Sequence, residues 1–144
     1  MRQIGAKVVG IDFSEVSINI ARERNTDIEF YIDNMLNDYS YIGKVDGIAV
    51  IAGLIHLGNT QLENAFRSMN HVLKDNGLIL MVVREGTGKR EQQSYVTIDN
   101  EEYDRNFIAH TLYELCFYSK GMFEYVEEIL PNDADIWKRY LFKK

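Results

Sequence analysis

The stretch GAKVVGIDFS, residues 5–14, constrains the fold of this chain more than any other. It predicts a buried strand through Val8 and Val9 that ends on the acid Asp12 and turns into a helix with Ser14 at its N-cap. Such a unit is typical of the second strand in nucleotide-binding α/β folds. Because only seven residues precede Val8, the sequence raises the question of where a first strand lies.

Strand and helix patterns alternate along the rest of the chain. Apolar runs predict strands over residues 28–32, 45–54 and 77–83. Two capping boxes, Thr60–Glu63 and Thr111–Glu114, predict the starts of two further helices.

Three further signals complete the predicted order of elements. The dipeptide Asn76-Gly77 predicts the end of the helix that Thr60 opens, and the polar stretch REGTGKREQQ predicts a loop. FEYVEEIL and WKRYLF predict two late strands, which we expect to pair antiparallel because no helix joins them. The order predicts an α/β fold in three layers, a Rossmann-like, mostly parallel sheet with helices on both faces and a C-terminal antiparallel strand pair.

Composition excludes several classes of protein. A net charge of −6 argues against nucleic-acid binding, because an acidic surface repels phosphate backbones. No apolar run is long and uninterrupted enough to cross a membrane. The single cysteine, Cys116, cannot form an internal disulfide and fits a cytoplasmic location. With three dispersed histidines it supplies no zinc pattern, so we expect no metal site.

Four segments together carry a resemblance to a known family. They are the first unit extended as GAKVVGIDFSEVSINIARER, then IEFYIDNML, VDGIAVIAGLIHL and LKDNGLILMVVREG. In this order and spacing the chain resembles the class I S-adenosylmethionine-dependent methyltransferases over nearly its whole length. The resemblance implies S-adenosylmethionine as cofactor and transfer of its methyl group to a small-molecule substrate.

The chain departs from the family pattern at its N-terminal end. The family's first strand, its glycine-rich loop and the following helix have no counterpart, so we expect a single methyltransferase-like domain over residues 1–144 that lacks its N-terminal βα unit. Losing a central strand leaves backbone groups unpaired on both sides. The flanking strands can pair directly, another chain can donate a strand, or the missing unit lies upstream. The sequence does not choose among these.

The resemblance places the cofactor beside Gly10, Asp12 and Phe13. An acid at the end of a strand can accept both ribose hydroxyls, and an alternative role for Asp12 is a favourable charge at a helix N-terminus. Phe13 packs either on the adenine or in the core. Next along the chain, Asp33 or Asn34 can accept from the adenine amino group, with Met35 beside them, or the pair forms an Asx turn that leaves the strand.

The reacting side of the site is predicted at the ends of two later strands. Ala52 and Gly53 are small and leave room for a ligand, or alternatively allow close packing. His56 is a candidate general base, although a lone histidine is more often structural. Arg84 and Glu85 fall on the substrate side, or in an ordinary solvated loop. Tyr95, Tyr103 and Phe107 belong to a segment that can form a lid over the site.

Two other functions compete with a methyltransferase of small molecules. The chain can be a non-catalytic, truncated methyltransferase-like module that acts in interaction or dimerisation, with a homodimer or a partner chain completing the sheet. A nicotinamide-dependent oxidoreductase also uses an acid after its second strand. That alternative needs the same missing glycine loop, and the closing strand pair fits it less well.

Overall fold

A computed structural model describes residues 5–86, 90–98, 101–131 and 135–144, with side chains described for 5–86, 107–131 and 135–144. These residues form eight strands and three α-helices in an α/β arrangement. In chain order they are β1 (Val9–Asp12), α1 (Glu15–Arg24), β2 (Glu29–Ile32), β3 (Val45–Ile51), α2 (Asn59–Val72), β4 (Leu73–Arg84), β5 (Arg90–Ile98), β6 (Glu101–Ile108), α3 (Leu112–Tyr118), β7 (Glu124–Glu128) and β8 (Trp137–Lys143). Short 3-10 helices cover Ser40–Ile42 and Leu54–His56.

The described strands form three separate sheets. β1 pairs parallel with β2, and β3 pairs parallel with β4. β8 lies antiparallel between β4 and β7, which gives a four-stranded sheet in the order β3-β4-β8-β7. The predicted α/β class and the antiparallel C-terminal pair are therefore confirmed.

One face of the four-stranded sheet carries the core. Helix α2 is amphipathic, and its apolar residues recur at helical spacing so that one stripe faces the sheet. Strand residues on that face alternate with residues on the other face, as the pleat requires. The fully or nearly fully buried residues of this layer are Val50, Leu62, Ala65, Phe66, Met69, Val72, Ile79 and Met81.

The sheet is divided between β1 and β3. Among the residues that the structure describes, β1 has a ladder partner only in β2 and β3 only in β4. β1 and β3 therefore do not pair with each other, so direct pairing, the first of the three sequence-based alternatives, is wrong. The remaining edge of each strand carries backbone groups without a ladder partner in the described structure.

Helix α2 starts and stops earlier than the sequence predicts. Its N-cap is Gly58, where the Gln61 side chain accepts a hydrogen bond from the Gly58 backbone N–H at 3.0 Å. Thr60 therefore lies inside the helix. The helix ends at Val72 because the next residues enter β4, and Asn76 takes a left-handed conformation (φ 63°) within that strand instead of ending the helix.

The last part of the predicted polar loop, Arg90–Gln93, belongs instead to a strand of a hairpin, and residues 87–89 of that loop lie outside the described residues. β5 and β6 pair antiparallel from Arg90–Ile108 to Ile98–Glu101. The sequence predicts a loop over Arg84–Gln93 because the strand residues are mostly charged or polar, a composition that hides period-two patterning. The hairpin lies between β4 and α3 in the chain, and β6 packs against the 3-10 helix Leu54–His56.

Candidate functional site

The ends of β1, β2 and β3 come together at one edge of the fold. The backbone N–H of Asp33, which follows β2, donates to the backbone oxygen of Asp12 at 3.0 Å. Two residues further on, the Met35 side chain reaches Gly53, which follows β3. The structure therefore brings together three of the predicted site segments, around residues 12, 33–35 and 52–53, at the carboxyl ends of parallel strands. Ligands of open α/β sheets bind at this edge.

Asp12 ends β1 with an exposed carboxylate. Its Oδ1 accepts from the backbone N–H of Ser14 at 2.8 Å, and the Ser14 hydroxyl in turn accepts from the Ser17 N–H to cap α1. One carboxylate oxygen thus orders the turn into the helix. The other oxygen has no hydrogen-bond partner in the described part of the chain, so it is available to a hydroxyl group of a ligand.

Asp33 organises the loop after β2. Its Oδ1 accepts from the Asn34 N–H at 2.7 Å and from Asn37 Nδ2 at 2.8 Å, while Oδ2 accepts from the Tyr41 hydroxyl at 2.8 Å. The bonds from Asn37 and Tyr41 hold the pKa of the Asp33 carboxyl below its usual range. Asn34 forms an Asx turn, accepting from the Leu36 N–H at 3.0 Å. The Asx turn is therefore present, and Asp33 shapes the loop.

Gly53 is a glycine because Met35 occupies the space beside it. A β-carbon at Gly53 would lie 2.6 Å from Met35 Cε and 3.2 Å from Val50 Cγ1. Ala52, just before it, has a positive φ of 55°, a conformation that costs energy for any residue other than glycine. Close packing, the structural alternative for this pair, is thus seen at Gly53, while Ala52 marks a strained turn at the same edge.

Gly10 and Phe13 differ sharply in their surroundings. A β-carbon at Gly10 would lie 2.5 Å from Cδ1 of the Phe30 ring on the paired strand β2, so this glycine is required by packing between the two strands. Phe13 is 70 % exposed. The interpretation of Phe13 as a core residue is therefore wrong, and its ring is open to a ligand beside Asp12.

His56 lies at the end of the 3-10 helix that follows Gly53. Its side chain is exposed, and its ring lies 5.8 Å from the ring of Phe107 on β6, with the planes tilted by 48°. Phe107 thus brings β6 of the hairpin beside His56. The side chains of Tyr95 and Tyr103, predicted for the same lid, lie outside the described residues.

Arg84 and Glu85 follow one another at the end of β4. The backbone oxygen of Arg84 accepts from the His110 N–H at 2.9 Å. The Glu85 carboxylate accepts from the Tyr140 hydroxyl at 3.3 Å and lies 3.8 Å from the Nζ atom of Lys138, a nearly buried amine. Glu85 therefore belongs to a polar cluster with residues of β8. Asp12 belongs to a different group of contacts, formed with the loops after β2 and β3.

Two residues that hold segments of the candidate site were not predicted from the sequence. Tyr41 holds the Asp33 carboxylate, and burial together with this hydrogen bond raises the pKa of Tyr41 to about 12. His110 is completely buried and bonds to the loop after Gly53. Neither contact can be predicted from neighbouring residues in the sequence. Tyr41 and Asp33 are separated by a loop, and His110 and Leu54 are separated by most of the fold.

Other kinds of site find little support in the described residues. A surface groove lined by Glu63, Arg67, Phe117 and Met122 includes none of the predicted site residues. In the described part of the chain, no group of three His, Cys, Asp or Glu side chains is arranged to hold a metal ion. None of the described helices has both the length and the apolar character needed to cross a bilayer.

Comparison with known sequences decides the family. The family described as "Methyltransferase domain" matches residues 1–77 of the 144-residue chain. The chain belongs to this family. A search of curated proteins finds no match to this methyltransferase-domain chain.

Solved structures resemble the methyltransferase-domain chain in fold. The PH0226 protein from Pyrococcus horikoshii superposes with a TM-score of 0.78 at 16 % identity, covering 99 % of this chain and 75 % of that one. An S-adenosylmethionine-dependent methyltransferase from Clostridium acetobutylicum gives a TM-score of 0.74 at 11 % identity, covering 96 % and 75 %. Magnesium protoporphyrin IX methyltransferase from Synechocystis, with bound S-adenosylmethionine, gives 0.69 at 12 % identity, covering 99 % and 61 %.

Proposed function

We propose that this methyltransferase-domain chain binds S-adenosylmethionine and transfers its methyl group to a small molecule. The observation that carries the proposal is the meeting of Asp12, the loop 33–35 and Gly53 at the carboxyl edge of the strands. The family match supports the reaction class. The structural neighbours include enzymes whose names specify S-adenosylmethionine or a small-molecule acceptor.

The residues present fit the nucleoside half of the cofactor. The carboxylate oxygen of Asp12 that is not used in the turn can accept from ribose hydroxyls. Phe13 and Ile32, both exposed at the ends of their strands, offer apolar surface to an adenine ring. The Asp33 carboxylate and the Asn34 side-chain oxygen both accept hydrogen bonds within the loop, so we assign the polar contact to adenine to the exposed Asn34 amide nitrogen, donating to a ring nitrogen.

The chemistry asks little of the protein beyond positioning. When bound, S-adenosylmethionine supplies an electrophilic methyl group on a sulfonium. The chain then has to hold the acceptor in line with that methyl group and exclude water. We propose that the acceptor lies beside the small residue Ala52, and that His56, exposed beside Phe107, takes the proton that the acceptor loses. Arg84 and Glu85 remain proposed for the substrate side.

The divided sheet favours a second candidate function. β1 and β3 each have one edge without a ladder partner in the described structure. Exposed strand edges are templates for pairing with another polypeptide. In this alternative the chain is a truncated, non-catalytic module of one domain, and a second copy or a partner chain completes its sheet.

We further propose a cytoplasmic location, based on the single half-buried Cys116, a thiol whose pKa burial raises.

Calorimetric titration with S-adenosylmethionine and S-adenosylhomocysteine tests the first proposal. We expect Asp12→Ala to weaken binding by about tenfold or more, which corresponds to about 1.4 kcal/mol. Asp12→Asn keeps the acceptor for the Ser14 N–H and loses the charge, so it separates the ligand contact from the turn. Asp46→Ala is the matched control, because Asp46 is also an exposed strand aspartate but lies near the start of β3.

The outcomes separate the two candidate functions. Binding that Asp12→Ala and Asp12→Asn weaken, and Asp46→Ala does not, supports the methyltransferase. A folded chain that binds neither cofactor form, but whose mass in solution is that of a dimer, supports the non-catalytic module. Binding of a nicotinamide cofactor in place of S-adenosylmethionine would contradict the first proposal.

A further inference from the structure

His110 lies where three segments around the candidate site meet. It lies two residues after the end of β6 and precedes the Thr111 cap of α3. Its backbone N–H donates to the backbone oxygen of Arg84 at the end of β4, at 2.9 Å. Its imidazole Nε2 lies 3.1 Å from the backbone oxygen of Leu54, the residue after Gly53. One residue thus lies beside the β5–β6 hairpin in the chain and joins the end of β4 to the loop after β3.

The position of the His110 imidazole determines which of its nitrogens carries a hydrogen. The side chain is completely buried, its Nε2 bonds to the Leu54 backbone oxygen, and Nδ1 makes no hydrogen bond of good geometry in the described part of the chain. Because the Leu54 oxygen can only accept, Nε2 carries the hydrogen, so a neutral ring is the Nε2–H tautomer. Burial lowers the pKa of His110 and outweighs the backbone oxygens of Leu54 and Leu57 and the Glu114 carboxylate, which act in the opposite direction.

A simple role in filling the core does not explain this arrangement. An apolar side chain of similar size would avoid burying Nδ1 without a partner, which is costly. What histidine offers over such a residue is the Nε2–H bond to Leu54. That bond holds the backbone immediately after Gly53, where the chain turns from the strained residue Ala52 towards His56.

We propose that His110 is a positioning residue that fixes the loop 52–56 relative to the end of β4 and thereby sets the spacing between the cofactor side and the substrate side of the site. The proposal rests on the proposed methyltransferase function. His110 acts through Leu54 and touches neither reactant. Its loss therefore loosens Gly53 and His56 while the core beneath them stays packed.

Paired substitutions test the proposal. His110→Gln places an amide nitrogen where Nε2 lies, whereas His110→Leu fills the space without a donor. We expect His110→Leu to weaken S-adenosylhomocysteine binding by about tenfold or more and His110→Gln to stay within about threefold of the native chain. Leu115→Ala is the control for stability, since Leu115 is a fully buried residue of α3 whose apolar side chain cannot form a hydrogen bond to the loop.

Two further measurements do not depend on cofactor binding. Ring nitrogen NMR of the native chain at neutral pH should show hydrogen on Nε2 and none on Nδ1. Amide hydrogen exchange should become faster at His56 and Leu57, which donate within the loop to Gly53 and Leu54, in His110→Leu but not in Leu115→Ala.

The outcomes distinguish this proposal from the methyltransferase function. If the native chain does not bind S-adenosylhomocysteine but shows the Nε2–H tautomer and the faster loop exchange, the positioning role stands and the proposed function fails. If His110→Leu binds as tightly as the native chain, or exchanges like it at His56 and Leu57, the positioning role is overturned. A hydrogen on Nδ1 at neutral pH overturns it as well.

Discussion

The Met35 side chain lies so close to Gly53 that a β-carbon there would come within 2.6 Å of Met35 Cε. This contact joins the loop after β2 to the turn after β3. It lies at the same edge as Asp12, whose backbone oxygen bonds to Asp33. The candidate site is therefore held by contacts between chain segments on the two sides of the divided sheet.

The contact between Met35 and Gly53 predicts coupling between two substitutions. Gly53→Ala should destabilise the chain by about 0.5–1 kcal/mol, because the added methyl group would meet the movable end of Met35 at 2.6 Å and Val50 Cγ1 at 3.2 Å. Met35→Ala removes the first of these atoms, so the double variant should be more stable than the sum of the single changes predicts, by about 0.5 kcal/mol. Urea unfolding of the four chains measures this coupling. Strictly additive effects would show that Met35 does not fill this space.

Gly10 should be intolerant of any side chain. A methyl group there would overlap the Phe30 ring at 2.5 Å, and a ring in a strand pair cannot move aside as the end of a methionine can. We expect Gly10→Ala to lower the free energy of unfolding by about 1–3 kcal/mol.

Gly47→Ala is the matched control for Gly10→Ala. Gly47 is also a strand glycine, but its added β-carbon would meet only the Leu78 oxygen, at 3.4 Å. We expect its effect on the free energy of unfolding to be small or slightly stabilising, within about 1 kcal/mol, because alanine restricts the unfolded chain. Equal losses in the two variants, measured by urea unfolding, would contradict the packing argument.

Stability should fall on mild acidification because of His110. Burial lowers the pKa of His110 in the folded chain, whereas the unfolded chain takes up a proton near its ordinary pKa of about 6.5. The unfolded state therefore binds more protons below about pH 6.5, and the free energy of unfolding decreases as the pH falls through that region. His110→Gln should show a smaller decrease between about pH 7 and pH 5. An unchanged pH dependence would mean that folding does not lower the pKa of His110.

The open edge of β3 should control association of the chain. Ile51 ends this strand and is 68 % exposed. An apolar residue on an unpaired edge favours pairing with other chains, and lysine is a substitution that prevents it. We expect Ile51→Lys to change the free energy of unfolding by less than about 0.5 kcal/mol and to reduce self-association in sedimentation velocity. Equal self-association of the native chain and the Ile51→Lys variant would show that the chains do not associate through the β3 edge.

The sequence predicts the local parts of this structure well. Asp12 and Ser14 mark the end of β1 and the start of α1, and Thr111 with Glu114 forms the predicted capping box at α3, with the Glu114 N–H bonded to the Thr111 hydroxyl at 3.1 Å. These features depend on residues two to four positions apart. The antiparallel pair β7–β8 is likewise predictable, because a short connection without a helix leaves few other arrangements.

The parts that the sequence misses depend on distant contacts. The bond between His110 and Leu54 joins residues 56 positions apart, and nothing beside His110 marks it. Gly10 is explained only by Phe30 on the neighbouring strand, and Asp33 only by Tyr41 across its loop. In each case the local sequence is compatible with several roles for the residue, and a tertiary contact determines which of them it has.

Amide chemical-shift mapping during titration with S-adenosylhomocysteine tests whether the cofactor binds at the edge where the three segments meet. We predict that the largest shifts fall on residues 12–14, 33–36 and 52–56. Shifts of similar size confined to the groove of Glu63, Arg67 and Phe117 would place the ligand elsewhere. The absence of any shift in a folded chain at saturating ligand would contradict a cofactor site formed by these segments.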